Sequence, residues 1–171
     1  MAYPLSANGP ISIAAAALHA MVANTYYWID RQGNLTTTGQ ATLAQNTALN
    51  LPTDQVLYDV SMAQALELII NHGVLTTSVG GTIAVAEVQP DFPQTPIAFS
   101  SPLVVGTPIA QALAATAESL RTAVVGPYGA APAGRLIKVA LAILFTTVAT
   151  AGTGIKLSLY GHRDGMDRQR G

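Results

Sequence analysis

Apolar residues alternate with small or polar ones most plainly in the last third of the chain. Ile137, Val139, Leu141, Ile143 and Phe145 are interleaved with Lys138, Ala140, Ala142 and Leu144. Further on, Ile155, Leu157 and Leu159 are interleaved with Lys156, Ser158 and Tyr160. Period two is the spacing of a strand with one buried face. Between the two runs, Thr150-Ala151-Gly152-Thr153-Gly154 supplies turn residues. The pattern predicts a long hairpin over 136–160 with one bulky face and one small or polar face. Thr82 to Val88 repeats the alternation after Gly80-Gly81 and predicts a strand. A second hairpin is expected where Tyr26-Tyr27-Trp28-Ile29 and Leu35-Thr36-Thr37-Thr38 flank Asp30-Arg31-Gln32-Gly33-Asn34, because aromatic and β-branched runs around a Gly-Asn turn favour paired strands.

Three segments carry helical spacing. Residues 12–24 are Ala-rich behind Ser12, with Leu18, Met21, Val22 and Thr25 on one side; a buried strand is the alternative there. Ser61-x-x-Gln64 has the form of a capping box, followed by Met62, Leu66, Ile69 and a Gly73 stop. Thr107-Pro108 places proline at a first helical position, ahead of a stripe of Ile109, Leu113, Ala117, Leu120 and Val124 that ends at Gly126-Pro127. Between Pro90 and Pro108 stand five prolines with Ile97, Phe99, Leu103, Val104 and Val105 among them. Such a stretch reads as an extended arm that docks side chains rather than as a flexible linker. The expected fold is therefore α+β: one domain over 1–171, an antiparallel sheet led by the 136–160 hairpin, two to three packed helices, a Pro-rich arm at about 89–107 and a charged tail at 162–171.

Composition changes this picture through charge. Only 10% of the 171 residues are Asp, Glu, Lys or Arg, against about 25% in an ordinary soluble domain. Five of those charges, Arg163, Asp164, Asp167, Arg168 and Arg170, fall in the last ten residues. Alanine (29) and threonine (18) stand where lysine and glutamate would otherwise be. A body this poor in charge lacks the usual device for staying monomeric at high concentration, so much of its surface is expected to be covered by copies of itself or by a larger assembly. A net charge of −1 gives no electrostatic footprint for nucleic acid. The uncharged stretch from Ile11 to Ile29 holds His19, Asn24 and Thr25 and has no preceding Lys or Arg, so it reads neither as a leader nor as a membrane span.

Chemistry-bearing motifs are weak. His162-Arg163-Asp164 matches a tripeptide of the protein-kinase catalytic loop, but the rest of that set is missing. Asp164 and Asp167 beside His162 could ligate a cation, yet Arg163 and Arg168 alternate with them, so a salt-bridged tail is preferred over a metal site. His19 and His72 have no adjacent nucleophile, Gly152-Thr153-Gly154 lacks the third glycine of a dinucleotide loop, and the chain has no cysteine. No catalytic residue, cofactor or metal is assigned, and the chain is read as non-enzymatic.

The expected function is structural: a self-associating virion protein of bacteriophage type, a capsid decoration or cement subunit located in the virion. Its partners would be copies of itself, with a trimer favoured, and a major capsid or other particle protein, with neither nucleic acid nor membrane. Candidate subunit-interface residues are Phe99, Leu103, Tyr26, Tyr27, Trp28, Arg163, Arg168 and Arg170. A carbohydrate- or surface-binding module of a tail fibre or adhesin is the first alternative; it requires Tyr26, Tyr27 and Trp28 on an exposed face. A tail-tube or neck component is the second.

Overall fold

The structure, a computed structural model, describes residues 2–5, 9–37, 58–60, 63, 65–75, 81–89, 103–114, 116, 118–124, 138–147 and 153–162. They form two antiparallel sheets rather than a helix-covered one. The first, sheet A, contains β1 (Ala2–Pro4), β2 (Ile11–Ile13), β6 (Ala65–His72), β9 (Glu118–Val124) and β11 (Ile155–His162). Its order is β1-β11-β6-β9, with β2 beside β1 on the same edge of β11. Sheet B contains β3 (Tyr27–Ile29), β4 (Leu35–Thr37), β5 (Tyr58–Asp59), β7 (Gly81–Gln89), β8 (Leu103–Leu113) and β10 (Lys138–Phe145). Its order is β4-β3-β10-β7-β8, with β5 sharing the β3 edge of β10.

From β5 onward the chain changes sheet at every connection except β7–β8. Taking β1 with β2 and β3 with β5 as single interrupted strands, and setting aside β4 as an added strand beside β3, leaves eight positions in two four-stranded sheets. Their order is that of a jelly roll, an architecture that closes two sheets over one core. The core has both inner faces in it. Leu66, Leu68, Ile70, Ile155, Leu157 and Leu159 of sheet A form one buried cluster with Ile29, Ile83, Val85, Leu141, Ile143 and Phe145 of sheet B.

The α+β expectation is thus overturned, and each departure has a local reason. The segment expected as a helix over 61–73 is strand β6 from Ala65 onward. Leu66, Leu68, Ile70 and His72 are buried, with Glu67, Ile69 and Asn71 between them more exposed. Leu66 and Ile69 satisfy helical spacing as well, and pairing with β11 and β9 on both sides decides for the strand. Ser61 and Gln64, the capping pair, lie outside the described residues.

The helix expected after Thr107-Pro108 is divided between β8 and β9. Val85 pairs with Ile109 and Glu87 with Val105, so Ala86 faces Gly106, Thr107 and Pro108 at a bulge. Proline has no N–H to give a ladder, and a bulge in an outermost strand is where it is tolerated. In the 12–24 segment, Ile11 and Ile13 pair with β11, and only Ala15–His19 is helical (α1). Its N-cap is Ala14, with no side-chain cap, rather than Ser12.

The C-terminal hairpin is also corrected. Both strands exist and their faces are as the alternation requires, but β10 belongs to sheet B and β11 to sheet A. Their bulky faces meet across the core, and the two strands pair in different sheets rather than with each other. The arm shrinks at both ends: Gln89 closes β7, and Leu103, Val104 and Val105 pair with Gln89, Val88 and Glu87 of the same chain. Residues 90–102 lie outside the described residues.

The hairpin around Asp30 and strand 82–88 match their sequence signals. Asp30 organises the turn: its Oδ1 accepts the N–H groups of Gln32 and Asn34, each at 2.8 Å, and Oδ2 accepts from Asn34 Nδ2 at 2.8 Å. Gly33 has φ +87°, and a Cβ there would run into the carbonyl of Ser12 in β2. This turn of sheet B therefore packs against an edge strand of sheet A, and only glycine permits the approach.

Two stability measurements test this account. Gly33→Ala combines a left-handed φ with a backbone collision and is expected to cost more than about 1 kcal/mol in urea unfolding. Tyr58 is fully buried, and its hydroxyl has no hydrogen-bond partner among the described residues. Burial pushes its pKa up to about 12; Arg31 opposes the shift and Asp30 adds to it. Tyr58→Phe should be neutral or stabilising by about 1 kcal/mol at pH 7, since it removes an unsatisfied buried hydroxyl. The neutral phenol is the form the fold favours, so the wild type should lose stability as pH rises from 10 through about 12. The Phe variant should lack that component, and parallel denaturation curves across the interval would contradict the burial.

Candidate interaction surfaces

Sheet B is buried on both sides at its centre. On β10, Val139, Leu141, Ile143 and Phe145 face the core, whereas Ala140 and Ala142 face outward and are equally buried. Trp28 of β3, Ala86 and Val88 of β7, Ala140 and Ala142 make a second apolar cluster, with Tyr26 packed against it. The indole needs space, and alanine at three of these positions supplies it by holding the floor at one carbon. One row in register crosses this face: Trp28, Ala142, Ala84 and Ala110 on β3, β10, β7 and β8. Exposure along it is 0%, 0% and 1% through Ala84, and Ala110 is open to solvent. Along this row only the β8 position is exposed.

That position lies at the margin of the sheet, on β8, one of the two outermost described strands of sheet B. Leu103–Leu113 contains no charged residue. Ile109 is 39% exposed, and Ala110 and Ala112 are exposed beside it. Edge strands are ordinarily protected by lysine, proline or a bulge. β8 has the proline and the bulge at 106–108 and carries no such device from Ile109 to Leu113.

The outer face of sheet A is polar by contrast. Ser12, Lys156, Asn71 and Ser119 lie in register across β2, β11, β6 and β9, and all four are exposed. Ser12, Asn71 and Lys156, with Thr153 and His72, line a depression of about 350 Å³ at one end of the sheet. Here His72 is buried, with Nδ1 2.8 Å from the carbonyl oxygen of Gly73. Toward the other end, His162 Nε2 lies 3.0 Å from Glu67 Oε2. His162 stands opposite Ala65 and Tyr160 opposite Glu67, so the pair is diagonal across the ladder.

The candidate residues are scattered by this fold. Trp28 is fully buried within the chain, so it does not present a surface for a subunit or a sugar. Tyr26 is half-buried against the Trp28 cluster, and burial raises its pKa. Tyr27 is half-buried against the main core, and its hydroxyl accepts the N–H of Val22 at 2.9 Å. Leu103 opens β8 in pairing with Gln89. Phe99, Arg163, Arg168 and Arg170 lie outside the described residues.

The three histidines do not assemble. His19 is exposed in the last turn of α1, and His72 and His162 sit at opposite ends of the β6–β11 ladder, about 23 Å apart at 3.3 Å per residue. Among the described residues no group of three or more His, Asp or Glu could hold a metal ion. The β8 margin is the feature that sequence reading missed. Its signal was present in the uncharged run Ile109-Ala110-Gln111-Ala112-Leu113, which the helical stripe concealed.

Trp28 is the chain's only tryptophan, so its emission reports on the outer layer alone. Emission should be blue-shifted, weakly quenched by acrylamide and unchanged by soluble saccharides. Strong quenching would bring the indole to the surface and return the aromatic-platform reading to contention.

No protein-family model matches the chain, and no curated protein or solved structure matches it either.

Proposed function

We propose that this protein is a structural, self-associating component of a virus-type particle, most specifically a capsid decoration or cement subunit of a bacteriophage virion. The observation that carries the reading is an uncharged, partly apolar strand with Ile109, Ala110 and Ala112 exposed among the described residues, on a chain with only 10% charged residues. Surfaces of this kind are expected where subunits meet in repeated, dry contacts. The two-sheet strand order adds support by analogy at the level of architecture: jelly rolls recur in viral shell proteins, and also in lectins and cupins. On this reading the chain acts without catalysis, and its partners are other copies of itself and a shell protein of the particle.

A tail-tube or neck role draws on the same surface chemistry and remains the nearest variant. The carbohydrate-binding alternative loses its main support, because it relied on an exposed Tyr26-Tyr27-Trp28 platform and Trp28 is buried.

Mass photometry from nanomolar concentration upward, with sedimentation at higher concentration and negative-stain images of the same samples, tests the proposal. A closed oligomer, a ring or a growing polymer is expected. A monomer persisting at tens of milligrams per millilitre would overturn it, since the low-charge surface would then be tolerated alone.

A further inference from the structure

One cavity lies outside the self-association reading. The depression of about 350 Å³ at one end of sheet A is lined by residues from both faces of that sheet. Ser12, Lys156 and Asn71 form one register row and are exposed, whereas Ile13, Ile155 and His72 form the next row and are buried. Two positions after Asn71 comes Gly73, and two before Lys156 comes Gly154. On both chain segments the outward series therefore runs into glycine, and the depression lies where side chains would otherwise stand.

Its rim is closely fitted. A Cβ at Gly73 would run into the Thr153 hydroxyl, and one at Gly154 into the carbonyl of Ile13. Thr153 and β2 can close on the depression only because both positions are glycine. His72 Nδ1 lies 2.8 Å from the Gly73 carbonyl oxygen. A carbonyl can only accept, so Nδ1 carries the proton, and the buried imidazole is tied to the same rim.

The polar groups here amount to a set of donors. Among the described residues Lys156 is the only charged one that lines the depression. Its ammonium, the Asn71 amide and the hydroxyls of Ser12 and Thr153 have no hydrogen-bond or ionic partner among the described residues. Ser12 and Asn71 flank Lys156 on the two neighbouring strands, with Cβ atoms about 5 Å away on either side. All three side chains can therefore reach one small group above the row. A cation would meet no carboxylate in this lining. Nor does an arginine supply the flat, two-pronged fit that suits a carboxylate. A lysine point charge with hydroxyl and amide donors from several directions suits a group whose oxygens also point in several directions.

We propose that this depression binds a tetrahedral oxyanion, a phosphate or sulfate group, with Lys156 supplying the charge and Ser12, Asn71 and Thr153 the neutral donors. The volume stands at the lower end of the range of about 300 to 1,000 Å³ found for small-ligand sites. It exceeds what the bare group fills, so the polar remainder of a small phosphate ester fits beside it. Every residue named belongs to one copy of the chain, so the site does not rest on self-association.

Calorimetric titration of the full chain with inorganic phosphate, sodium sulfate and glycerol 3-phosphate, in chloride buffer at fixed ionic strength, tests the site. Saturable binding in the millimolar range or tighter is expected. Lys156→Gln and Asn71→Asp should each weaken it about tenfold or more, the loss typical of a hydrogen bond to a charged group. The aspartate acts at nearly unchanged size, by setting a carboxylate opposite Lys156. Lys156→Arg should retain most of the binding, and Lys138→Gln, in sheet B, should leave it as it is. Both Asn71 and Lys156 are exposed, and thermal melts check that the variants fold. A tenfold preference for glycerol 3-phosphate would identify an ester as the ligand, and equal affinity would identify the free ion. No saturable binding, or wild-type binding in both Lys156→Gln and Asn71→Asp, would overturn the site.

Discussion

The structure depends on the burial of β10 from both sides. Its inward side chains, Val139, Leu141, Ile143 and Phe145, meet the aliphatic face of β6 and β11, while Ala140 and Ala142 lie under Trp28. A strand covered on both faces must be apolar throughout and must alternate in size if one face is to receive a large ring. Val139-Ala140-Leu141-Ala142-Ile143 meets both requirements. With β3 and β5 along one edge and β7 along the other, β10 sets the register of the whole of sheet B. The facing sheet then has little choice but to offer its own aliphatic side inward.

The two outer faces divide the labour of a charge-poor chain. Sheet A keeps the hydroxyls, Asn71, Lys156 and the Glu67–His162 pair, and so meets water on ordinary terms. Sheet B is dry at its centre, and its exposed described positions include aliphatic and alanine residues of β8. A protein with more lysine and glutamate would cover such a margin. The scarcity of charge in the sequence and the exposed, uncharged positions of β8 are what the proposal of self-association rests on.

Only part of the strand content was legible, and its arrangement was not. The Asp30 turn could be read because its reasons are local: an aspartate that bonds its own loop, and a glycine at positive φ. The alternation of 137–145 and 155–160 named the correct faces, because period two survives whatever the strand pairs with. Helices were expected at 61–73 because Leu66 and Ile69 have helical spacing while Leu66, Leu68 and Ile70 have strand spacing, and after Pro108 because Ile109 and Leu113 fit both periods. Between Ile109 and Leu113, Ala110 and Ala112 favour neither period. The Trp28 cluster was read as a surface because a run of three aromatics has no periodic marker of which side is covered.

What the sequence alone determined was chemistry and periodicity: a chain short of charge, without thiols, with β-forming runs whose bulky and small faces are written into every second residue. Tertiary structure decided the rest. It sent β10 and β11 to opposite sheets, made β6 a central strand, buried Trp28, and left Ile109 to Leu113 at an edge. The physical reason is that strand pairing is non-local. A segment's own residues specify which faces are apolar, but the partner that satisfies its N–H and C=O groups comes from elsewhere in the chain, and only the folded whole shows which groups find one.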